Sequence, residues 1–197
     1  SLAFPNVRNM GLPLAYFAFG DQGLALAVGY FMVISIAHFS VGMAIATGDA
    51  INWKHFFLNP ILAAITLACL LVFSESSLPL WLANSVGLIG QLTIPLMLLT
   101  LGVSLAQIQV RQFSSGLMYS VLRMVLGGAA AYGVVTLLGM TGLARSVVIL
   151  MGFMPVAVFN YLFALKSQRN VETVASMVMI STVLAMLILP VVVYSLK

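Results

Sequence analysis

Leu24–Thr47 and Val171–Leu196 are long apolar runs almost free of charge, and no other feature of this chain narrows its fold so far. Lipid offers the backbone no hydrogen-bond partner, so a chain crosses it either as helices or as a closed barrel. A helix needs about 20 apolar residues to cross, whereas a tilted barrel strand needs about 9–11 of alternating polarity. Both runs have the helical length, and neither alternates. Composition closes off the water-soluble option: 62% of residues are hydrophobic and 6% charged, where soluble domains carry roughly 25% charged residues. The expected fold class is therefore an all-α membrane protein, a helical bundle.

Seven segments are expected to cross: Ser1–Phe19, Leu24–Thr47, Phe56–Phe73, Leu80–Ala106, Gly116–Leu138, Ala144–Leu165 and Val171–Leu196. The connections are short and carry turn residues, as at Gly20-Asp21-Gln22-Gly23. Alternating them across the bilayer groups Lys54, Arg111, Lys166 and Arg169 on one side against Arg145 and Lys197 on the other. The positive-inside rule makes the first side cytoplasmic and the C-terminus extracytoplasmic, in a multi-pass protein of the inner (plasma) membrane. The pI of about 9.5 comes from charges scattered over these loops, so no nucleic-acid partner is expected. The chain opens Ser1-Leu2 without an initiator methionine or signal-like region and reads as truncated at its N-terminus. Cys69 has no second cysteine to pair with, and Trp53 and Trp81 read as interfacial anchors. Gly127 and Ala131, with Ala129 and Gly133 beside them, are expected to let another helix approach closely.

The first segment reads Phe4-Pro5-Asn6-Val7-Arg8-Asn9-Met10-Gly11-Leu12-Pro13, a composition no uninterrupted transmembrane helix would choose. Pro13 cannot donate to the carbonyl of Asn9, Gly11 removes side-chain cover, and Asn6, Arg8 and Asn9 crowd one turn. The helix is expected to unwind here and restart over Leu14–Phe19. A second break is expected at Gly152-Phe153-Met154-Pro155-Val156-Ala157-Val158-Phe159-Asn160, where Pro155 frees the carbonyl of Met151. Two interrupted helices are the best sequence pointer to a transporter built from inverted repeats. Each half-helix that begins at a break presents unpaired N–H groups and a positive dipole end, which suits a carboxylate. Asparagine adds amide donors without a buried charge. The plain alternative is that these prolines only kink helices, and for Pro95, which has no polar cluster around it, a kink is what is expected.

Arg8 reads as a substrate contact or a structural counter-ion. Arg123 lies within its helix, where its long stem is expected to snorkel to the interface, with anion coupling as the other role. His38, between Ser35 and Ser40, reads as a packing histidine or a proton-coupling group. Asp21, Asp49, Glu75 and Glu172 fall in or beside loops. With no paired intramembrane carboxylates, nucleophile motif, phosphate loop or metal cluster, no enzyme, cofactor or metal is expected.

Pro5-Asn6 through Asn9-Met10-Gly11-Leu12-Pro13-Leu14, followed by Phe17-Ala18-Phe19-Gly20, resembles the first crossover helix of the auxin efflux carrier family. Met154-Pro155-Val156-Ala157 followed by Asn160-Tyr161-Leu162 resembles the second. The resemblance implies a ten-helix carrier with two inverted five-helix repeats, of which the fourth to tenth helices are present. It assigns 1–47 to the end of the first repeat, 56–106 to scaffold helices and 116–197 to transport-domain helices. Where the family pattern has a small residue between the two asparagines, this chain has Arg8, a charge that would either favour a dicarboxylate or replace a coupling cation.

The expected function is secondary transport of a small organic anion such as malonate or malate by alternating access. Asn6, Arg8, Asn9, Gly11, Pro13, Pro155 and Asn160 form the expected site, with a proton or sodium as coupling ion and His38 or Arg123 as the coupling residue. A homodimer is compatible with this. The alternatives are a sodium-coupled bile-acid-type symporter and a non-transporting receptor on the same architecture.

Overall fold

A computed structural model describes residues 4–42, 44, 59–75 and 77–196. Among them the backbone is helical almost throughout, relieved by a single isolated bridge between Pro5 and Val156. The chain enters extended at Phe4–Asn6, makes a π-turn over Val7–Gly11 and continues as α1, Leu12–Ala37, into a second π-turn, His38–Gly42. Within α1 the backbone of Gly20 is non-helical, at φ 67° and ψ −157°, a setting reserved in practice for glycine. There the chain doubles back. Phe4 stacks on His38 with ring centroids 4.2 Å apart, and a Cβ placed on Gly23 would stand 2.9 Å from the carbonyl oxygen of Ala15. The two limbs therefore touch at both ends of a helical hairpin.

The first break is shorter than the residues suggest. Gly11 donates its N–H to the carbonyl of Asn6 at 3.1 Å, and Leu12 donates to Val7. This wider turn takes its donors from residues ahead of Pro13, which then falls in the first turn of α1, where a missing N–H is harmless. The expected unwinding through Pro13 is thus corrected to an extended stretch at Phe4–Asn6.

Next comes α2, Pro60–Phe73, capped by Asn59, whose side chain accepts from the N–H of Ile61 at 2.9 Å. The expected single segment from Leu80 to Ala106 divides at Leu92 into α3, Leu80–Gln91, and α4, Thr93–Ala106. Pro95 cannot donate to the carbonyl of Gln91, and the kink falls where that bond is missing. The chain ends with α5 (Phe113–Leu137), α6 (Gly142–Gly152), α7 (Val158–Ser167) and α8 (Val171–Leu196). Leu80–Ala106, Phe113–Leu137 and Val171–Leu196 are long and apolar enough to cross a membrane, as is the run Val7–Gly42 by length and composition, which the Gly20 turn divides into two limbs. The protein is an all-α membrane protein.

One face of α5 organises the core: Gly116, Ser120, Arg123, Met124, Gly128, Ala131 and Val135 recur at helical spacing and are buried. Against α8, a Cβ on Gly116 would stand 2.8 Å from that of Ser176, and Ser120 donates its hydroxyl to the carbonyl of Met177 at 3.2 Å. Against α6, Gly127 and Ala131 meet Gly152, while Gly128 lies under the ring of Phe153. The close approach expected of the small-residue stripe is present, but Ala129 is exposed and Gly133 faces open space. At about 100° per residue those two positions turn away from the partner helices.

Two sets of contacts tie the helix ends together. Arg111 pairs with Glu172 at 3.0 Å, and Gln112 donates its N–H to the hydroxyl of Ser176 at 3.1 Å, so Arg111 shares an end of the bundle with the α7–α8 connection. Ser146 donates to the carbonyl of Leu196 at 3.0 Å, which brings the Arg145 end to the C-terminus. Among the described residues, Arg111 thus lies with the α7–α8 connection and Arg145 with the C-terminal end of α8. Trp53, Lys54, Asp49 and Lys197 lie outside the described residues, and Trp81 stands largely exposed at the start of α3.

Candidate functional site

Both interruptions arise from local chemistry and then find each other. Pro155 cannot continue α6, and the chain runs extended from Met154 to Ala157 before α7 begins at Val158. Beside it, Phe4–Asn6 is extended ahead of the first π-turn. The two stretches pair antiparallel at Pro5 and Val156. Asn6 donates its N–H to the carbonyl of Pro155 at 2.7 Å, and Ala157 donates to the carbonyl of Phe4 at 3.2 Å. Asn160 also reaches that carbonyl, through Nδ2 at 3.3 Å. Backbone groups that proline and the broken helices would leave unpaired are satisfied by the other break, as an apolar surrounding demands.

The third support comes from α8. Val156 donates its N–H to the hydroxyl of Ser181 at 3.0 Å, and Ser181 in turn donates to the carbonyl of Val178. Ser181→Ala would leave that buried N–H without a partner, at a cost of about 1–3 kcal/mol. We expect the midpoint of thermal unfolding in detergent to fall by several degrees, while Ser195→Ala, at an exposed hydroxyl, leaves it unchanged.

At the crossing lies a cleft with about 30 Å³ of space, lined by Asn6, Arg8, Asn9, Ser35, His38 and Phe159 among others. That is room for a water or two. Asn6 is 3% exposed. Its Oδ1 accepts from the N–H of Asn9 at 3.3 Å, which identifies the other end as the amide nitrogen, and Nδ2 has no hydrogen-bond partner. Arg8 extends over the ring of Phe159, 5.9 Å from its centroid. His38 completes the wall, with Nε2 buried and unpartnered. Val7 and Val158 begin the two half-helices, so two positive dipole ends converge here.

The remaining residues expected in the site lie elsewhere. Pro155 and Asn160 are buried behind the cleft and hold the crossing through their bonds to Asn6 and Phe4. Gly11 is packed on α6, where a Cβ would stand 2.8 Å from the sulfur of Met151, and Pro13 is fully buried. Arg123 does not snorkel. It is 5% exposed, lies against Gly127 beside the carbonyl end of α6, and leaves Nε without a partner. The correction follows from the rotational setting of α5, which points position 123 at α6 and not at the surface. Phe4, Phe159 and Ser181 were not singled out from the sequence. The Ser181-Thr182 pair within the apolar run of α8 was the available signal for the last.

The description "Membrane transport protein" belongs to the family whose model matches residues 49–193. The chain belongs to this family, the one that includes the auxin efflux carriers, and is not an enzyme. An uncharacterized transporter of Methanocaldococcus jannaschii is 26% identical over 195 residues, covering 93% of this chain and 63% of its own length. Another, from Methanothermobacter thermautotrophicus, is 26% identical over 195 residues, covering 95% of this chain and 64% of its own length. The chain thus spans a little under two thirds of these relatives. No solved structure matches it. The family match begins after the first break, so Asn6, Arg8, Asn9 and His38 are tied to the second break by geometry.

Proposed function

We propose that this chain forms most of a secondary carrier that moves small carboxylates across the membrane by alternating access, with the cleft at the crossing as the binding place. One observation carries it: two helix beginnings meet beside a buried amide donor, Asn6 Nδ2, that has no partner. Buried donors without a protein partner are unfavourable unless water or a guest accepts from them. Arg8 supplies the cation, and its charge favours malonate or malate over a monocarboxylate. The present cleft is too small for such an acid, so the walls must part to load it. If the Arg111 face is cytoplasmic, an inside-negative potential favours export of an anion by about 2.3 kcal/mol per charge per 100 mV.

The test is uptake of labelled mono- and dicarboxylates by the full-length protein in proteoliposomes under imposed potentials. Flux of at least one carboxylate is expected. Strict dependence on sodium would replace the proposal with a bile-acid-type symporter, and binding without flux would replace it with a receptor. Arg8→Gln should raise KM for malonate by roughly tenfold, as loss of one charge-assisted contact implies, and leave that for acetate within about threefold. Equal effects on both acids would remove Arg8 from the substrate's second carboxylate.

A further inference from the structure

His38 is 7% exposed, and aromatic rings enclose it. Phe4 stacks face to face upon it, with an interplanar angle of 7°. Phe163 presents its edge at 5.3 Å and Phe159 at 6.4 Å. A histidine kept for packing would still be expected to bond its buried nitrogens, because a polar atom without a partner is unfavourable there. Nε2 has none, although the ring borders the same cleft as Arg8 and the free amide of Asn6.

The charges around that ring are few. Arg8, on the first break, is the cation lining the cleft, and no carboxylate lines it among the described residues. Ser35 from α1, Ile61 from α2 and Phe159 and Phe163 from α7 bring no charge. In the empty cleft a proton on His38 faces the like charge of Arg8 and, among the described residues lining it, no carboxylate. Entry of a carboxylate reverses that balance, since a nearby opposite charge favours the protonated ring.

We propose that His38 takes up a proton when the cleft takes up an anion, so that the carrier loads carboxylate and proton as a pair. The inference rests on the carboxylate reading of the cleft. The proton comes from the water that the open cleft admits and binds Nε2; on release both leave together. By reciprocity, whatever factor the anion adds to proton affinity, the proton adds to anion affinity. The imidazolium remains stacked on Phe4, whose ring face favours a cation. That same residue's carbonyl receives the N–H of Ala157 and Nδ2 of Asn160, so the proton site and the crossing share one support. A dicarboxylate then finds a cation for each of its charges, Arg8 and His38.

The experiment is calorimetric titration of the full-length protein in nanodiscs with malonate, in buffers of differing ionisation enthalpy. At about pH 7.5, where malonate is almost fully ionised, the wild type should take up close to one proton per anion bound. Its Kd should rise about tenfold per pH unit between the pH at which the empty site's ring loses its proton and the pH at which the loaded site's does. In His38→Gln binding weakens, proton uptake falls to near zero and Kd no longer follows pH. Malonate binding with no proton uptake in the wild type, or undiminished uptake in His38→Gln, overturns the role of His38. If the wild type binds neither malonate, malate nor acetate, the carboxylate reading fails and the pairing fails with it.

Discussion

Gly152→Leu is expected to yield no monodisperse protein after detergent extraction, a larger loss of stability than any other substitution named for this protein should cause. Gly152 closes α6 at the point of nearest approach to α5, where an added Cβ would overlap that of Ala131 and stand 2.6 Å from the carbonyl oxygen of Gly127. Neither neighbour can rotate away, since one is a β-carbon and the other main chain. Overpacking of this kind costs about 1–3 kcal/mol and sometimes more. Even Gly152→Ala should therefore lower the unfolding midpoint by on the order of 5–10 °C. Gly133→Ala on α5 is the control: its Cβ meets nothing within 4 Å, and the change should be within about 0.5 kcal/mol of neutral. Size-exclusion profiles after graded heating read both. Similar behaviour of Gly152→Ala and Gly133→Ala would refute the packing described for α5 and α6.

Asn6→Ala and Asn160→Ala should each reduce initial carboxylate uptake at least about tenfold, and together reduce it to the level of empty vesicles. Each removes a part-buried hydrogen bond at the crossing, worth about 0.5–1.5 kcal/mol net. For Asn160 the bond lost is Nδ2 to Phe4; for Asn6 it is Oδ1 to Asn9, together with the open donor Nδ2. Phe4 keeps its bond from Ala157 and Asn6 keeps its main-chain bond to Pro155, so the protein should still reach the membrane in normal amount. Near-normal uptake in both variants, at equal membrane levels by immunoblot, would remove the crossing from the transport path.

Much of this was legible in the residues because it depends on near neighbours. Pro155 lacks an N–H wherever it sits, so the end of α6 could be read from position alone, as could the kink ahead of Pro95. Asparagines at depth marked both breaks as polar. The first break was harder. Asn6, Arg8, Asn9, Gly11 and Pro13 all carry breaking or polar signals, and the π-turn that lets the helix begin ahead of Pro13 has no signature in composition. The small-residue stripe was half right for a related reason. Spacing locates a close-packing face on α5, but whether Gly127 or Gly133 points inward depends on where α6 sits.

Arg123 and His38 mark the boundary most clearly. Their type and depth were visible, yet one lies against the end of α6 and the other within an aromatic enclosure beside Arg8. Helix formation, membrane insertion and the positions of the two breaks follow from hydrogen-bond satisfaction and burial within a few residues, and the order of amino acids settles them. Which groups meet at the crossing is settled by contacts between residues far apart in the chain, such as Asn160 with Phe4. Those contacts exist only once the hairpin at Gly20 and the packing of α5, α6 and α8 have brought the helices together.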